Sequence, residues 1–138
     1  MTSAKFRILV ADDDECVRGV MRAVLAASGY SIVEARDGED ALRQSLAAHF
    51  DLLLMDHNMP NMSGIEMIKE LRKQPWCQSV PIMAITAYGN GVAKDALAAG
   101  ADRAATKPIQ FNAVIVEIKE LLADKVGDQA DDRGTEKG

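Results

Sequence analysis

The sequence predicts an α/β domain built on a parallel sheet, and three observations carry that expectation. Short strand-like apolar runs alternate with longer stretches of helical periodicity along the chain. The run from Leu52 to Met55 has no polar alternation, as a central strand covered on both faces requires. The strand-like runs also finish in charged or hydroxylated residues, at the edge where the loops of such a sheet converge on one crevice.

Taken in order, Phe6 to Ala11 forms the first strand and runs into Asp12, Asp13 and Asp14. Val17, Val20, Met21, Val24 and Leu25 then share one helical face, with Asp14 and Glu15 favouring the N-terminus and Gly29 stopping the helix. A second strand, Ser31 to Ala35, leads through Asp37-Gly38 into a helix carrying Ala41, Leu42 and Leu46. The third strand, Asp51 to Met55, delivers Asp56. A loop with Pro60 and Gly64 precedes a helix that turns Ile65, Ile68 and Leu71 inward, and Pro81 opens a fourth strand through Ile85, with Thr86 at its end. The turn Gly89-Asn90-Gly91 leads into an alanine-rich helix to Ala99, and Asp102 to Thr106 is a weakly hydrophobic fifth strand ending at Lys107-Pro108. Phe111, Val114, Ile115, Ile118, Leu121 and Leu122 form the buried stripe of a last helix.

With 138 residues, 48% of them hydrophobic, the chain suits a single folded domain over residues 1–123. Residues 124–138 carry five acids, three bases and three glycines, and read as a disordered tail or linker stub. The net charge of -5 and the lack of a Lys/Arg block argue against direct nucleic-acid binding. Cys16 and Cys77 lack metal-ligand spacing and read as reduced thiols, consistent with a cytoplasmic protein. No apolar run approaches the ~18 residues a membrane span needs, so no membrane insertion is expected.

The strand ends collect the chemistry: Asp12 and Asp13 follow the first strand, Asp56 the third, Thr86 the fourth and Lys107 the fifth. Three carboxylates brought together repel one another and lose hydration unless a cation sits among them. A hard divalent ion with oxygen ligands, Mg²⁺, fits this donor set, which lacks the His or Cys that zinc favours. Mg²⁺ and Lys107 would balance the three carboxylates, and phosphorylating one of them adds negative charge that Thr86 and Lys107 can meet. An aspartate so neutralised can serve as a covalent nucleophile, and Asp56, ending the most buried strand, is the best placed.

From Phe6 to about Ala123 the chain resembles the receiver domains of two-component response regulators, chemotaxis regulators included. The likeness rests on ILVADDDE at Ile8 to Glu15, LLMDHNMPNMSG at Leu53 to Gly64, AITA at Ala84 to Ala87 and TKP at Thr106 to Pro108. It implies a flavodoxin-like, doubly wound (βα)5 three-layer sandwich with a five-stranded parallel sheet of order 2-1-3-4-5. It also implies a phosphorelay switch of bacterial signalling: Asp56 accepts a phosphoryl group from the phosphohistidine of a sensor histidine kinase or a histidine phosphotransfer protein, and a downstream protein target reads the result. Asp12 and Asp13 would form the acidic pair for Mg²⁺, with Asp13 the direct ligand and Asp12 acting largely through water. The backbone carbonyl of Asn58 would complete the metal shell. Thr86 would be the switch hydroxyl and Lys107 the phosphoryl counter-ion, joined to Pro108 by a peptide that is usually cis in the family.

Two positions depart from that pattern. Ala104 stands where the family commonly has Tyr or Phe, and Ile109 where Phe is frequent, so the aromatic half of the switch is missing from its usual place. Tyr88, two residues past Thr86, is a candidate to supply the ring or to screen the acyl phosphate from water. His57 reads as an exposed or partner-facing residue, His49 as a surface residue, Met55, Met59, Met62, Met67 and Met83 as packing, and Trp76 as a packing cap in a loop, with a contact surface as its second reading. A Mg²⁺-dependent phosphatase with an aspartyl-phosphate intermediate is the competing enzyme reading, but Asp56-His57-Asn58 lacks the second carboxylate such enzymes use as acid and base. A phosphorylation-independent scaffold is the other, opposed by the complete set of acids, Thr and Lys. The chain is thus expected to assist only its own phosphorylation and dephosphorylation.

Overall fold

Successive side chains of a strand point to opposite faces of a sheet, and here both faces are apolar, so helices must cover both. The computed structural model describes residues 6–56, 59, 62–86 and 91–123. Its strands are β1 (Arg7–Ala11), β2 (Ser31–Ala35), β3 (Leu52–Asp56), β4 (Ile82–Thr86) and β5 (Arg103–Thr106). Its helices are α1 (Glu15–Ala27), α2 (Gly38–Ala47), α3 (Gly64–Arg72), α4 (Val92–Ala99) and α5 over 111–123. All strand pairings are parallel, in the order β2-β1-β3-β4-β5. This is the doubly wound order that the resemblance implies.

The three layers follow from alternation. Leu9, Leu53, Met55 and Ile82 pack with Ala41 of α2, Met67, Ile68 and Leu71 of α3 and Ala96 of α4. Ile8, Val10, Leu52, Leu54, Met83 and Ile85 point the other way, onto Met21 and Leu25 of α1 and Val114, Ile118, Leu121 and Leu122 of α5. β3 and β4 are buried at every residue, whereas β2 and β5 lie at the sheet edges and are mostly half-buried. Among the described residues no helix is long and apolar enough to cross a membrane.

Local chemistry sets the helix starts. Asp14 caps α1, accepting from the N–H groups of Cys16 and Val17, and Gly29, at φ +96°, follows its end. Asp37 caps α2 by accepting from the Asp40 N–H. Ser63 and Glu66 cap α3 reciprocally, each side chain accepting from the other's backbone N–H.

Several strand ends differ by one residue from the sequence expectation: β1 begins at Arg7, β4 runs from Ile82 through Thr86 and β5 begins at Arg103. Asp51 lies before β3, because its N–H donates to the Arg7 carbonyl at 2.8 Å while its Oδ2 accepts from the Arg7 N–H at 2.8 Å. Asp56 belongs to β3 itself, since the ladder continues to it opposite Ile85. Trp76 sits in a short 3-10 turn, Pro75–Cys77, and packs against the core cluster.

Candidate functional site

The doubly wound order puts the carboxyl ends of β1, β3, β4 and β5 side by side, and the charged residues stand there. Asp12 follows β1, Asp56 and Thr86 end β3 and β4, and Lys107 follows β5. Asp12, Asp13 and Asp56 each offer a carboxylate oxygen within 4.8 Å of the others, with Asp12 and Asp56 buried and Asp13 exposed. Lys107 Nζ lies 3.0 Å from Asp56 Oδ1, and its N–H donates to the Thr86 carbonyl at 2.8 Å. The Lys107-Pro108 peptide is cis.

The crowding has an electrostatic signature. Burial, reinforced by the charges of Asp56 and Asp13, pushes the Asp12 carboxyl up to about 6, although the Asp14 N–H bond and Lys107 pull it down. For Lys107, burial works against the charge, but the hydrogen bond and charge of Asp56, then Asp12 and Asp13, outweigh it and leave the ammonium above its ordinary value. A pocket that raises an acid and strengthens a base holds an excess of negative charge. Among the described residues it gathers three carboxylates, and oxygen donors of this kind are what Mg²⁺ prefers.

The hydroxyl of Thr86 donates to the Ala105 carbonyl at 3.3 Å, so it is engaged with β5, and Thr86 is fully buried. Ala104, opposite Ala84 in the ladder of β4 with β5, packs against the α2–α4 side of the core, and Ile109 against the α1–α5 side. Five predicted site residues, Asp12, Asp13, Asp56, Thr86 and Lys107, therefore stand at one edge of the sheet. Asn58, His57 and Tyr88 lie outside the described residues, as does the tail over 124–138. His49 is exposed and 3.7 Å from Asp51. Cys16 is exposed and Cys77 buried, both free.

The family profile of the response regulator receiver domain matches residues 8–119. The chain belongs to that family. The receiver domain is 34% identical over 117 residues to the transcriptional regulatory protein ResD of Bacillus subtilis, spanning 84% of this chain and 48% of ResD. It is 35% identical over 118 residues to the sensor protein EvgS of Escherichia coli, spanning 85% of this chain and 10% of EvgS. The chain thus spans about half the length, or much less, of these curated relatives. Among solved structures it resembles the receiver domain of a sensor histidine kinase from Pseudomonas aeruginosa, described with a magnesium ion coordinated in the active site cleft. That likeness has a TM-score of 0.81 and 28% identity, covering 87% of this chain and 99% of the other.

One residue beside the site escaped sequence reasoning. Arg18 of α1 donates from Nη1 to the Asp12 carbonyl at 2.8 Å. Its position six residues past Asp12 carries no motif; only the packing of α1 on the sheet brings it back.

Proposed function

We propose that this receiver domain is a phosphorylation switch in which the Asp56 carboxylate takes a phosphoryl group from the phosphohistidine of a sensor histidine kinase or a histidine phosphotransfer protein. The observation that carries this reading is the buried Asp56 carboxylate, held 3.0 Å from Lys107 and within 4.8 Å of two further carboxylates. In the transfer an Asp56 oxygen forms the new bond to phosphorus while the bond from phosphorus to the imidazole nitrogen breaks, leaving neutral histidine on the donor. Asp12, Asp13 and Asp56 would hold Mg²⁺, joined by the Asn58 backbone carbonyl. The ion supplies charge neutralisation for an incoming phosphoryl group. Lys107 is positioned to neutralise a phosphoryl oxygen on Asp56, and Thr86 to leave Ala105 and donate its hydroxyl to another.

The domain acts as a switch and not as a turnover enzyme, assisting only its own phosphorylation and dephosphorylation. Phosphorylation biases a two-state equilibrium and alters a surface read by a downstream protein target. Residues 1–123 would form the receiver, in a cytoplasmic setting without direct nucleic-acid contact or membrane insertion. The test is incubation with acetyl phosphate, with and without Mg²⁺, followed by intact-mass measurement. A Mg²⁺-dependent adduct absent from Asp56→Asn supports the switch. Rapid multiple turnover of the donor by the native chain would replace it with the phosphatase reading.

A further inference from the structure

Asp12 is held by more than its place after β1. Its N–H donates to the Ala35 carbonyl at 3.1 Å, its carbonyl accepts from Arg18 Nη1 at 2.8 Å, and its Oδ1 accepts from the Asp14 N–H at 2.8 Å. Arg18 lies at the start of α1, where its own N–H donates to the Asp14 carbonyl at 3.0 Å. From there Arg18 Nε reaches Glu34 Oε1 at 3.2 Å. Glu34 is the neighbour of Ala35 on β2, and its other oxygen accepts from Arg22 at 2.8 Å. The result is a closed ring: Asp12 to Arg18, Arg18 to Glu34, one peptide along to Ala35, and back to Asp12.

We propose that Arg18 and Glu34 are positioning residues for the metal site, acting through the main chain of Asp12. A guanidinium can donate to both acceptors at once from a planar fork, whereas an ammonium is a single point of charge. The Arg18 side chain is only 15% exposed and that of Glu34 28%, so the pair is not the solvated kind that contributes little. With β2 holding its N–H directly and its carbonyl through Arg18, the Asp12 peptide cannot rotate freely, and the direction in which the carboxylate leaves the chain is fixed. Partners one layer out from a metal ligand commonly carry about 10- to 100-fold in metal affinity. This inference rests on the Mg²⁺ reading above.

The test is calorimetric titration of the whole chain with MgCl₂, alongside phosphorylation by acetyl phosphate as a function of Mg²⁺ concentration. For Arg18→Gln and Arg18→Lys alike, Mg²⁺ affinity should fall about tenfold, with a smaller loss for Glu34→Gln. The half-saturating Mg²⁺ should rise in step while the phosphorylation plateau at saturating Mg²⁺ stays within about twofold of native, a split that general damage to the fold would not give. Affinities within about twofold of native in both Arg18 variants would overturn the proposal, as would a native-like Arg18→Lys beside a weak Arg18→Gln, which would assign the effect to charge alone. If Arg18→Gln fails to fold by circular dichroism, Glu34→Gln decides: unchanged Mg²⁺ affinity there overturns the ring's role. A native chain that takes up no Mg²⁺ would instead sink the metal reading, and this inference with it.

Discussion

Without a metal, Asp12 should be a liability to the fold, and the size of that liability can be worked out. Its carboxyl is raised from 3.8 to about 6, so the folded state holds the proton more tightly than the unfolded chain does. For a raised acid the penalty is absent below the unfolded value, grows as pH rises from about 4 to 6, and is fully present above that range. At about 1.4 kcal/mol per pH unit between the two values, the ionised form destabilises the metal-free protein at pH 7 by about 3 kcal/mol. Asp12→Asn removes the charge and keeps an oxygen to accept from the Asp14 N–H. In EDTA at pH 7 the variant should therefore be about 2–3 kcal/mol more stable than native, or about 10 °C higher in melting temperature. The advantage should shrink to about half at pH 5 and disappear near pH 4. Urea denaturation followed by far-UV circular dichroism measures it, and Mg²⁺ should raise the midpoint of the native chain and not that of the variant. A variant no more stable than native in EDTA at pH 7 would refute the electrostatic reasoning.

Three further outcomes are expected. Lys107→Met removes the ammonium 3.0 Å from Asp56 and should slow phosphorylation by acetyl phosphate about 100-fold at saturating Mg²⁺, followed by intact mass over time. Gly38→Ala would usually favour a helix, but a Cβ there would stand 2.2 Å from the Met62 carbonyl oxygen. The connection between β3 and α3 must shift, with a loss of about 1–3 kcal/mol in urea denaturation and weaker Mg²⁺ binding. Arg72 donates to the carbonyls of Cys77, Val80 and Gly100 and to Asp102 at the far end of the sheet. Arg72→Met should lower stability by about 2–4 kcal/mol through the carbonyls it leaves unpaired, and Arg72→Lys should recover little of it, with Mg²⁺ affinity unchanged in whatever fraction stays folded.

The architecture was legible in the sequence because its signals are local. Leu52 to Met55 announces a central strand by the absence of polar alternation, and Phe111 to Leu122 announces a helix by its stripe. The strand ends were legible for the same reason, each charged residue adjoining an apolar run. Where the reading slipped by a residue, tertiary bonds decided: Asp51 is held by Arg7 of another strand, which no pattern near Asp51 encodes. The Ser63-x-x-Glu66 cap was written in the chain and went unread, whereas the bond between Arg18 and Glu34, 16 residues apart, exists only once α1 lies on β2. Thr86 shows the limit most directly. Its position followed from β4, but its attachment to Ala105 depends on the alignment of β4 with β5.

The edges of the sheet carry a consequence for solubility. β2 holds Glu34 between Arg18 and Arg22, and β5 holds Arg103 between Glu117 and Glu120, so each edge strand has a charge of one sign flanked by two of the other on its neighbouring helix. An open strand edge is a template for a strand from another molecule, and a fixed charge on it makes such pairing unfavourable. Two copies meeting β2 to β2, or β5 to β5, would bring like charges towards one another. Pairing of either open edge with its own copy is thereby disfavoured.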